Sequence, residues 1–263
     1  MTTPAPDPAG QAHNAASTPA RILAQGRYEA IAMLKNGEQL MLNIIFPVMG
    51  LLALNYTAFL DPWVQHYGIS RIDLAVPGVL ALCVLSTALS GQGIATGFDR
   101  RYGVLRFIST TPLGRSGLIA GKVLAVLTVL LIQYFIVGAL GQLLGWTATV
   151  PGVLMSLPTL LLGAACFTAL GLLIAGTVRA EATLAIVNMA WVLLAGGGGV
   201  LLPTDRYPVA INTIIDFLPS AALGNALRGD YIHHSFLLVP HLILLLCTAL
   251  FGALAVKFFK WSA

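Results

Sequence analysis

Five segments of the chain contain no Asp, Glu, Lys or Arg, and their lengths predict membrane-spanning helices. These charge-free segments are residues 39–60, 74–98, 123–178, 182–204 and 231–256. A transmembrane helix needs about 20 consecutive apolar residues, so the longest segment holds two spans, separated by an interfacial turn near Trp146 and Pro151. The pattern therefore predicts an all-α, polytopic membrane protein with six transmembrane helices. Their expected positions are residues 39–60, 74–98, 123–145, 152–178, 182–204 and 235–256.

The region before the first span predicts a tail followed by an amphipathic helix. Residues 1–19 are rich in Pro, Ala, Thr and Ser and nearly lack large apolar residues, which is typical of a disordered tail. Across residues 20–37, apolar side chains recur with a helical period opposite a polar face, so we expect a helix that lies on the membrane surface. Tyr28 belongs to this helix. Its polar face contains Arg21, Gln25, Arg27, Glu29 and Lys35.

A further non-spanning segment precedes the last span. Residues 203–230 combine prolines and charged residues with apolar residues at helical spacing. The segment is too long for a turn and too polar for a span, so we expect two short helices or a re-entrant hairpin at the outer face. Residues 38–263 as a whole are predicted to form a single transmembrane domain.

The distribution of charge predicts the orientation of the spans. With the N-terminus inside, 11 of the 14 Lys and Arg residues lie on the inner side and 3 on the outer side. Cytoplasmic loops carry such an excess, so we place both termini in the cytoplasm and the protein in the cytoplasmic (inner) membrane. Only 9% of the residues are charged, which excludes a water-soluble domain, where about a quarter are. The net charge of +4 comes from this inner girdle and does not indicate nucleic-acid binding.

The sequence offers little that could carry out bond chemistry. Residues 117–123 come closest to a nucleotide-binding loop, but they have one residue too few between the glycines and Val123 where Ser or Thr is required. No metal-binding or hydrolase motif is present, so we expect no metal site and no cofactor in this chain. Ser90 and His241 are the only candidates for an intramembrane hydrolase, and we interpret them as a packing serine and a structural histidine.

The predicted inner loop after the second span carries the most distinctive motif. Residues 99–122 begin with an acidic residue, two arginines and an aromatic-glycine pair, and they continue through Thr-Pro to Gly-Lys. In this order, and together with six spans, they resemble the ABC-2 type permease signature, most closely in the daunorubicin/doxorubicin drug-exporter branch. Where many members have Glu, this chain has Asp99, which keeps the charge but shortens the side chain. The matching residues are Asp99, Arg100, Arg101, Tyr102, Gly103, Leu105, Thr111, Pro112, Leu113, Gly121 and Lys122.

The resemblance, which covers about residues 20–260, implies a permease subunit that is not itself an enzyme. It implies a separate ABC ATPase that binds ATP and Mg, a second permease copy in a homodimer or heterodimer, and surrounding membrane lipids. The helix at 20–37 and the loop at 99–112 are implied to contact the ATPase, and the segment 203–230 to cap the outer exit. The implied coupling residues are Asp99, Arg100, Arg101, Tyr102, Gly103, Leu105, Arg106 and Pro112.

Small residues along the second span mark a candidate translocation path or dimer interface. They recur at positions i, i+4, i+7 and i+11, and the fifth span adds an amide and an indole. Small faces in membrane helices favour close packing, and the two roles can coincide at a dimer interface. The residues are Ser86, Ser90, Gly93, Gly97, Asn188 and Trp191.

An apolar path with a few hydroxyl and amide groups suits a hydrophobic or amphiphilic substrate, drug-like or lipid-like, that moves outward. Two alternatives stay open at this point. A permease of the same family that exports a glycan or a lipid-linked precursor would share every feature above. An intramembrane enzyme or an assembly factor would require a polar cluster within the bundle, such as a hydrogen bond between Ser90 and His241.

Overall fold

The protein is an all-α bundle in the computed structural model, which describes residues 16–261. No strand occurs among these residues, so the predicted fold class is confirmed. Most of the predicted disordered tail lies outside the described residues, and the first helix begins at Thr18, two residues earlier than expected. The twelve α-helices of the described residues are α1 (Thr18–Lys35), α2 (Gly37–Tyr56), α3 (Asp61–Tyr67), α4 (Arg71–Val84), α5 (Gln92–Arg101), α6 (Val104–Ile108), α7 (Gly114–Leu143), α8 (Val150–Thr177), α9 (Ala180–Gly197), α10 (Val209–Asp216), α11 (Pro219–Arg228) and α12 (Leu238–Phe258).

The described residues contain five helices that are long and apolar enough to cross a membrane, and a bent pair brings the number to six. One of the five is the continuous helix Arg71–Arg101, in which a π-helical segment, Leu85–Gly91, joins α4 to α5. The others are α7, α8, α9 and α12. In the bent pair, Asn43–Tyr56 and Ala58–Tyr67 meet at an angle of 68°. Helix α2, in the first span, ends at Tyr56, four residues before the expected end of that span.

Two further span boundaries differ strongly from the sequence prediction, for identifiable reasons. The third spanning helix begins at Gly114 and not at 123, because Lys122 is buried inside the helix instead of ending it. The fifth ends at Gly197 and not at 204, because four consecutive glycines, 196–199, end the helix and Gly199 adopts a left-handed φ of 74°. Only proline has a lower helix propensity than glycine, so the run of glycines explains the early end of the helix.

The helix Arg71–Arg101 is the centre of the bundle. Of an 18-residue stretch within it, 83% is buried inside the protein, against 17% for α12. It contacts α2, α7, α8, α9 and α11. The exposed faces of α9 and α12 are nevertheless mostly apolar, as expected for surfaces that face lipid.

The segment before the last span forms two short helices, α10 and α11, followed by a π-helical turn, Gly229–His233. Helix α10 exposes Ile211 and Ile214, whereas α11 is buried along most of its length and packs against α4, α8 and α12. We call this end of the bundle the α11 end, and the opposite end, where α6 lies, the α6 end.

Helices α5 and α8 cross at a contact between glycine backbones. A Cβ atom at Gly171 would lie 2.8 Å from the carbonyl oxygen of Leu89 and 3.2 Å from the nitrogen of Gly93. Both of those atoms belong to the backbone and cannot move aside as a flexible side chain would. This crossing therefore depends on Gly171, in the manner of small-residue contacts between membrane helices.

Replacing Gly171 with alanine should destabilise the bundle by about 1–3 kcal/mol, the usual cost of adding a methyl group to a tightly packed site. The measurement is the thermal unfolding of the purified protein in detergent. Gly252→Ala in α12 is the matched control, because a Cβ atom there would meet nothing within 4 Å. Equal midpoints for the two variants would contradict the proposed tight crossing.

Candidate functional site

A fully buried lysine lies at the centre of the candidate site. Lys122, in α7, places its Nζ atom 2.9 Å from Oε1 of Glu29. The same Nζ atom donates to Oε1 of Gln92 at 3.3 Å and to Oδ2 of Asp99 at 3.5 Å. An ammonium group has three protons, so these three acceptors satisfy it completely. We call these four residues the Lys122 cluster.

The Lys122 cluster joins three helices at the α6 end. Glu29 comes from α1, Gln92 and Asp99 from α5, and Lys122 from α7. Burying a charge is costly unless opposite charges and hydrogen bonds compensate it, so each helix depends on the other two for this contact. The cluster could not be predicted from the charge pattern, which places Lys122 in an inner loop, although Lys122 is part of the distinctive motif at residues 99–122.

The position of Glu29 corrects the prediction for the amphipathic helix. The sequence pattern placed Glu29 on the polar face, yet the residue is only 8% exposed. Gln25 donates from Nε2 to Oε1 of Glu29 at 2.9 Å, which gives the carboxylate a second partner besides Lys122. The buried face of α1 consists of Gly26, Glu29, Ala30 and Met33.

Two glycines allow α1 and α7 to approach closely. A Cβ atom at Gly26 would lie 2.9 Å from the Cβ of Leu124, and one at Gly121 would lie 2.7 Å from the Cγ of Gln25. Because both positions lack a side chain, α1 packs directly on the backbone of α7, within reach of the adjacent Lys122. Helix α1 thus lies against the bundle through a close glycine contact reinforced by an ion pair.

The other predicted polar residues of α1 lie at its surface. Arg27, Tyr28 and Lys35 are exposed. Arg21 differs, because its guanidinium donates to the carbonyl oxygens of Ala16 and Pro112, each at 2.5 Å. The contact with Pro112 links the start of α1 to the end of the predicted coupling loop.

The predicted coupling loop folds as a tight turn and the short helix α6. Gly103 has a left-handed φ of 78°, which reverses the chain after α5. Leu105 is buried against Leu118 and Phe259 and anchors α6 to the bundle. Tyr102 stacks on Phe98 with a ring-centroid distance of 6.1 Å and is 73% exposed, so it lies at the surface of the turn.

The three arginines of this loop have different surroundings. Arg100 is buried and donates to the carbonyl oxygens of Ala175, at 2.9 Å, and Val178, so it caps the C-terminus of α8. Arg101 forms an ion pair with Glu181 at 2.5 Å, between two exposed side chains. Arg106 is exposed, and its side chain has no hydrogen bond or ion pair with the described residues. Pro112, at the end of the loop, is also exposed.

The predicted path residues mostly contact neighbouring helices of the same chain. Trp191 donates from Nε1 to Oγ of Ser86 at 3.0 Å. Gly93 faces Gly171, and a Cβ atom at Gly97 would lie 3.1 Å from Thr183. Ser90 is half-buried and Asn188 is exposed. Within one chain, Ser86, Gly93 and Gly97 thus lie where α5 and the π segment pack against α8 and α9.

A polar chain that the sequence did not indicate crosses the interior beside this face. Thr87 donates to Oε1 of Gln133 at 3.0 Å, and Gln133 donates from Nε2 to the carbonyl oxygen of Asn43 at 2.7 Å. Both side chains are buried. These hydrogen bonds join the π segment, α7 and α2 without any charged group.

The α11 end contains a cavity of about 300 Å³ with acidic and basic groups in its lining. Asp205 accepts a hydrogen bond from the Tyr67 hydroxyl at 2.5 Å, and Asp216 accepts one from Thr204 at 2.5 Å. Arg228 is buried and donates to the carbonyl oxygens of Gly199 and Val200, which fixes the glycine turn after α9. Burial lowers the pKa of Arg228 to about 10, so the group remains charged at neutral pH.

The described contacts give no support for a hydrolase pair or a metal site. His241 bonds to Thr159 and to the carbonyl oxygen of Leu237, and no hydrogen bond between Ser90 and His241 occurs among the described residues. The described residues also contain no group of three or more His, Cys, Asp or Glu side chains that could hold a metal ion.

Comparisons with known proteins identify a family and a related permease. Residues 21–231 match the model of the family described as ABC-2 type transporter. A stretch of 164 residues, 62% of this chain, is 27% identical to a protein of Bacillus subtilis (strain 168) named "Putative transport permease YvfS". The match spans 64% of that relative, which is less than two thirds of its length. Neither comparison distinguishes a drug-exporter branch from other branches.

Replacing Lys122 with methionine should destabilise the protein by about 3–5 kcal/mol, because Glu29 would remain buried without its charge partner. Thermal unfolding in detergent measures the effect. The double variant Lys122→Met/Glu29→Gln should recover much of the loss, since no unpaired charge is left at that contact.

Arg71→Met is the control for this prediction, because Arg71 pairs with Asp61 at 2.6 Å where both side chains are about a third exposed. Its loss should destabilise the protein far less, because an ion pair in contact with water contributes little to stability. If Lys122→Met and Arg71→Met unfolded at the same temperature, the Lys122 cluster would not stabilise the protein more than a partly exposed ion pair does.

Proposed function

We propose that this chain, which belongs to the ABC-2 type transporter family, is the membrane permease subunit of an ATP-driven exporter. The matched domain is a membrane permease domain without a catalytic domain. The printed sequence contains no nucleotide-binding loop of the Walker type, so we assign ATP and Mg to a separate ABC ATPase. The permease itself breaks and forms no covalent bond.

The observation that best supports this role is the connection between α1, the α6 loop and the spans. The Lys122 cluster binds α1 to α5 and α7, and Arg21 binds the start of α1 to Pro112. A force applied to either surface element would therefore be transmitted to the second and third spans. A permease driven by an external ATPase requires such a connection.

The tip of the α6 loop is the surface that we assign to the ATPase. Tyr102 and Phe107 are 73% and 74% exposed, and Arg106 lies between them in sequence, where its side chain has no hydrogen bond or ion pair to any described residue. Exposed aromatic residues beside an arginine are typical of protein contacts. Arg100 and Arg101 already have partners within the chain, so we assign the docking contact to Tyr102, Arg106 and Phe107.

We further propose that the substrate is a hydrophobic or amphiphilic compound, drug-like or lipid-like, moved outward by alternating access in a dimer of permeases. Away from the Lys122 cluster at the α6 end, the polar groups that line the interior beside the second span include the hydroxyls and amide of Ser86, Thr87 and Gln133. These groups suit an uncharged or weakly polar molecule better than an ion. A glycan or lipid-linked precursor would use the same architecture, and a drug-exporter assignment rests on the motif resemblance alone.

Reversing the charge of Arg106 with Arg106→Glu should release the ATPase. We expect about tenfold less ATPase to co-purify with the tagged permease in mild detergent, which corresponds to about 1.4 kcal/mol. The ATP turnover of the purified material should fall in parallel. Arg179→Glu is the control, because Arg179 is an exposed arginine at the same end of the bundle but outside the loop. Equal loss in both variants, or no ATPase with the unaltered protein, would contradict the proposal.

The proposed orientation, with the α6 end in the cytoplasm, can be tested by cysteine labelling. Phe107→Cys at the α6 end should react with a membrane-impermeant thiol reagent only after cell lysis, whereas His66→Cys in α3 should react in intact cells. The unaltered protein provides the background, since Cys83 and Cys166 are buried and Cys247 is half-buried. The reverse labelling pattern would invert the topology.

A further inference from the structure

A second buried polar cluster lies at the α11 end, apart from the elements assigned to the ATPase. Asp230, in the π turn Gly229–His233, is fully buried, as is Thr159 in α8. The Thr159 hydroxyl donates to Oδ2 of Asp230 at 2.6 Å and lies 2.9 Å from Nε2 of His241 in α12. The other ring nitrogen of His241, Nδ1, lies 2.7 Å from the carbonyl oxygen of Leu237.

The hydrogen-bond partners determine how many protons this chain of groups can hold. The carbonyl oxygen of Leu237 only accepts, so Nδ1 of His241 carries a proton. The Thr159 hydroxyl has a single proton to donate. If it donates to Asp230, then Nε2 of His241 must donate to Thr159, and the imidazole is positively charged beside a carboxylate. If it donates to Nε2, the imidazole is neutral, and Asp230 must be protonated and donate to Thr159.

Both arrangements contain the same number of protons. They differ only in whether the additional proton lies on Asp230 or on His241. The arrangement with an ionised Asp230 and a neutral His241 fails, because the Thr159 hydroxyl would face two acceptors with one proton. The Thr159 oxygen would then face one acceptor atom with no proton between the two atoms, and leaving a buried polar contact without its hydrogen bond is energetically unfavourable.

We propose that Asp230, Thr159 and His241 form a proton-binding site that holds one proton, shared between the carboxyl group and the imidazole through the threonine hydroxyl. The ligand is the proton itself. The site connects the π turn after α11 to α8 and α12, so its protonation determines whether hydrogen bonds join all three of these elements. The proposal does not depend on the function proposed above.

The surroundings of Asp230 favour retention of this proton. Oδ1 of Asp230 is buried without a hydrogen-bond partner among the described residues, and such an oxygen is less costly in a neutral carboxyl group than in a carboxylate. Burial raises the pKa of Asp230 to about 6, although the hydrogen bond from Thr159 acts in the opposite direction.

The buried titratable groups beside the site add no charge at neutral pH. They are the phenols of Tyr231, in the same turn, and Tyr134 in α7, and the thiol of Cys83 in α4. His233, in the same turn, and His234 are exposed. Arg228 is directed away, toward the carbonyl oxygens of Gly199 and Val200. Among the described residues, neither Asp230 nor His241 forms an ion pair with a side chain outside the site.

The shared proton has a defined effect on stability. An unfolded aspartate and histidine titrate at about pH 4 and 6.5, and together they hold one proton between these values. Above about pH 6.5 the unfolded chain holds fewer protons than the folded site, so stability falls as the pH rises. Below about pH 4 the unfolded chain holds more, so stability falls as the pH decreases. An isolated Asp230 with a raised pKa would instead lose stability between about pH 4 and 6 and change little above that range.

The experiment is the thermal unfolding of the full chain in detergent as a function of pH, for the unaltered protein, Asp230→Asn, His241→Gln and the double variant. The stability that the site contributes, taken as the difference from the double variant, should form a plateau between about pH 4 and 6.5 and decline on both sides. Each single variant should lose the decline above pH 6.5. A decline in that range that persists in either single variant would overturn the shared proton.

A spectroscopic measurement on the unaltered protein covers the case in which a variant fails to fold. At neutral pH, the infrared band of a protonated carboxyl group and the nitrogen-15 signals of His241 should together account for one proton on the pair in addition to the proton on Nδ1. A carboxylate beside a neutral imidazole would overturn the proposal. Asp205→Asn is the matched control, because Asp205 lies 3.8 Å from His66 with both side chains exposed, and it should leave the band and the pH profile unchanged.

Discussion

The burial of the Lys122 ammonium group is the constraint on which the α6 end of the protein depends. A charge away from water needs partners at close range, and Glu29, Gln92 and Asp99 supply them from two other helices. Because Glu29 belongs to α1, this helix cannot leave the bundle without removing a charge partner from the buried lysine. The glycine contact between Gly26 and Gly121 brings the backbones close enough for the ion pair to form.

The spans could be predicted from the charge pattern, and the errors have a common cause. Each predicted span overlaps an observed helix or the bent pair, because apolar stretches of this length have few other stable structures in a membrane. Glu29, Lys122 and Asp230 were instead assigned to surfaces because they are ionisable. The hydrogen-bond partners of Lys122 and Asp230 lie up to 93 and 71 residues away in the chain, so no local pattern could reveal them.

The predicted coupling residues illustrate the same limit at a finer scale. Arg100, Arg101 and Arg106 are chemically identical and lie within seven residues of one another. One caps the end of α8, one pairs with Glu181 and one faces away from the protein. The motif could locate the loop but could not assign these roles, because each depends on which distant carbonyl or carboxylate the fold brings near. Arg106 differs from the other two in its surroundings, because it is exposed and its side chain has no partner among the described residues.

The π segment Leu85–Gly91 affects how related chains should be aligned with this one. A π turn contains one residue more than an α-turn, so it rotates the following helix by about 100° relative to an uninterrupted helix. A relative without this turn would have one residue fewer in its second span. A single gap at this position would then record a rewound helix, and forcing a gapless alignment would place Gly93 and Gly97 on the wrong face of every such relative.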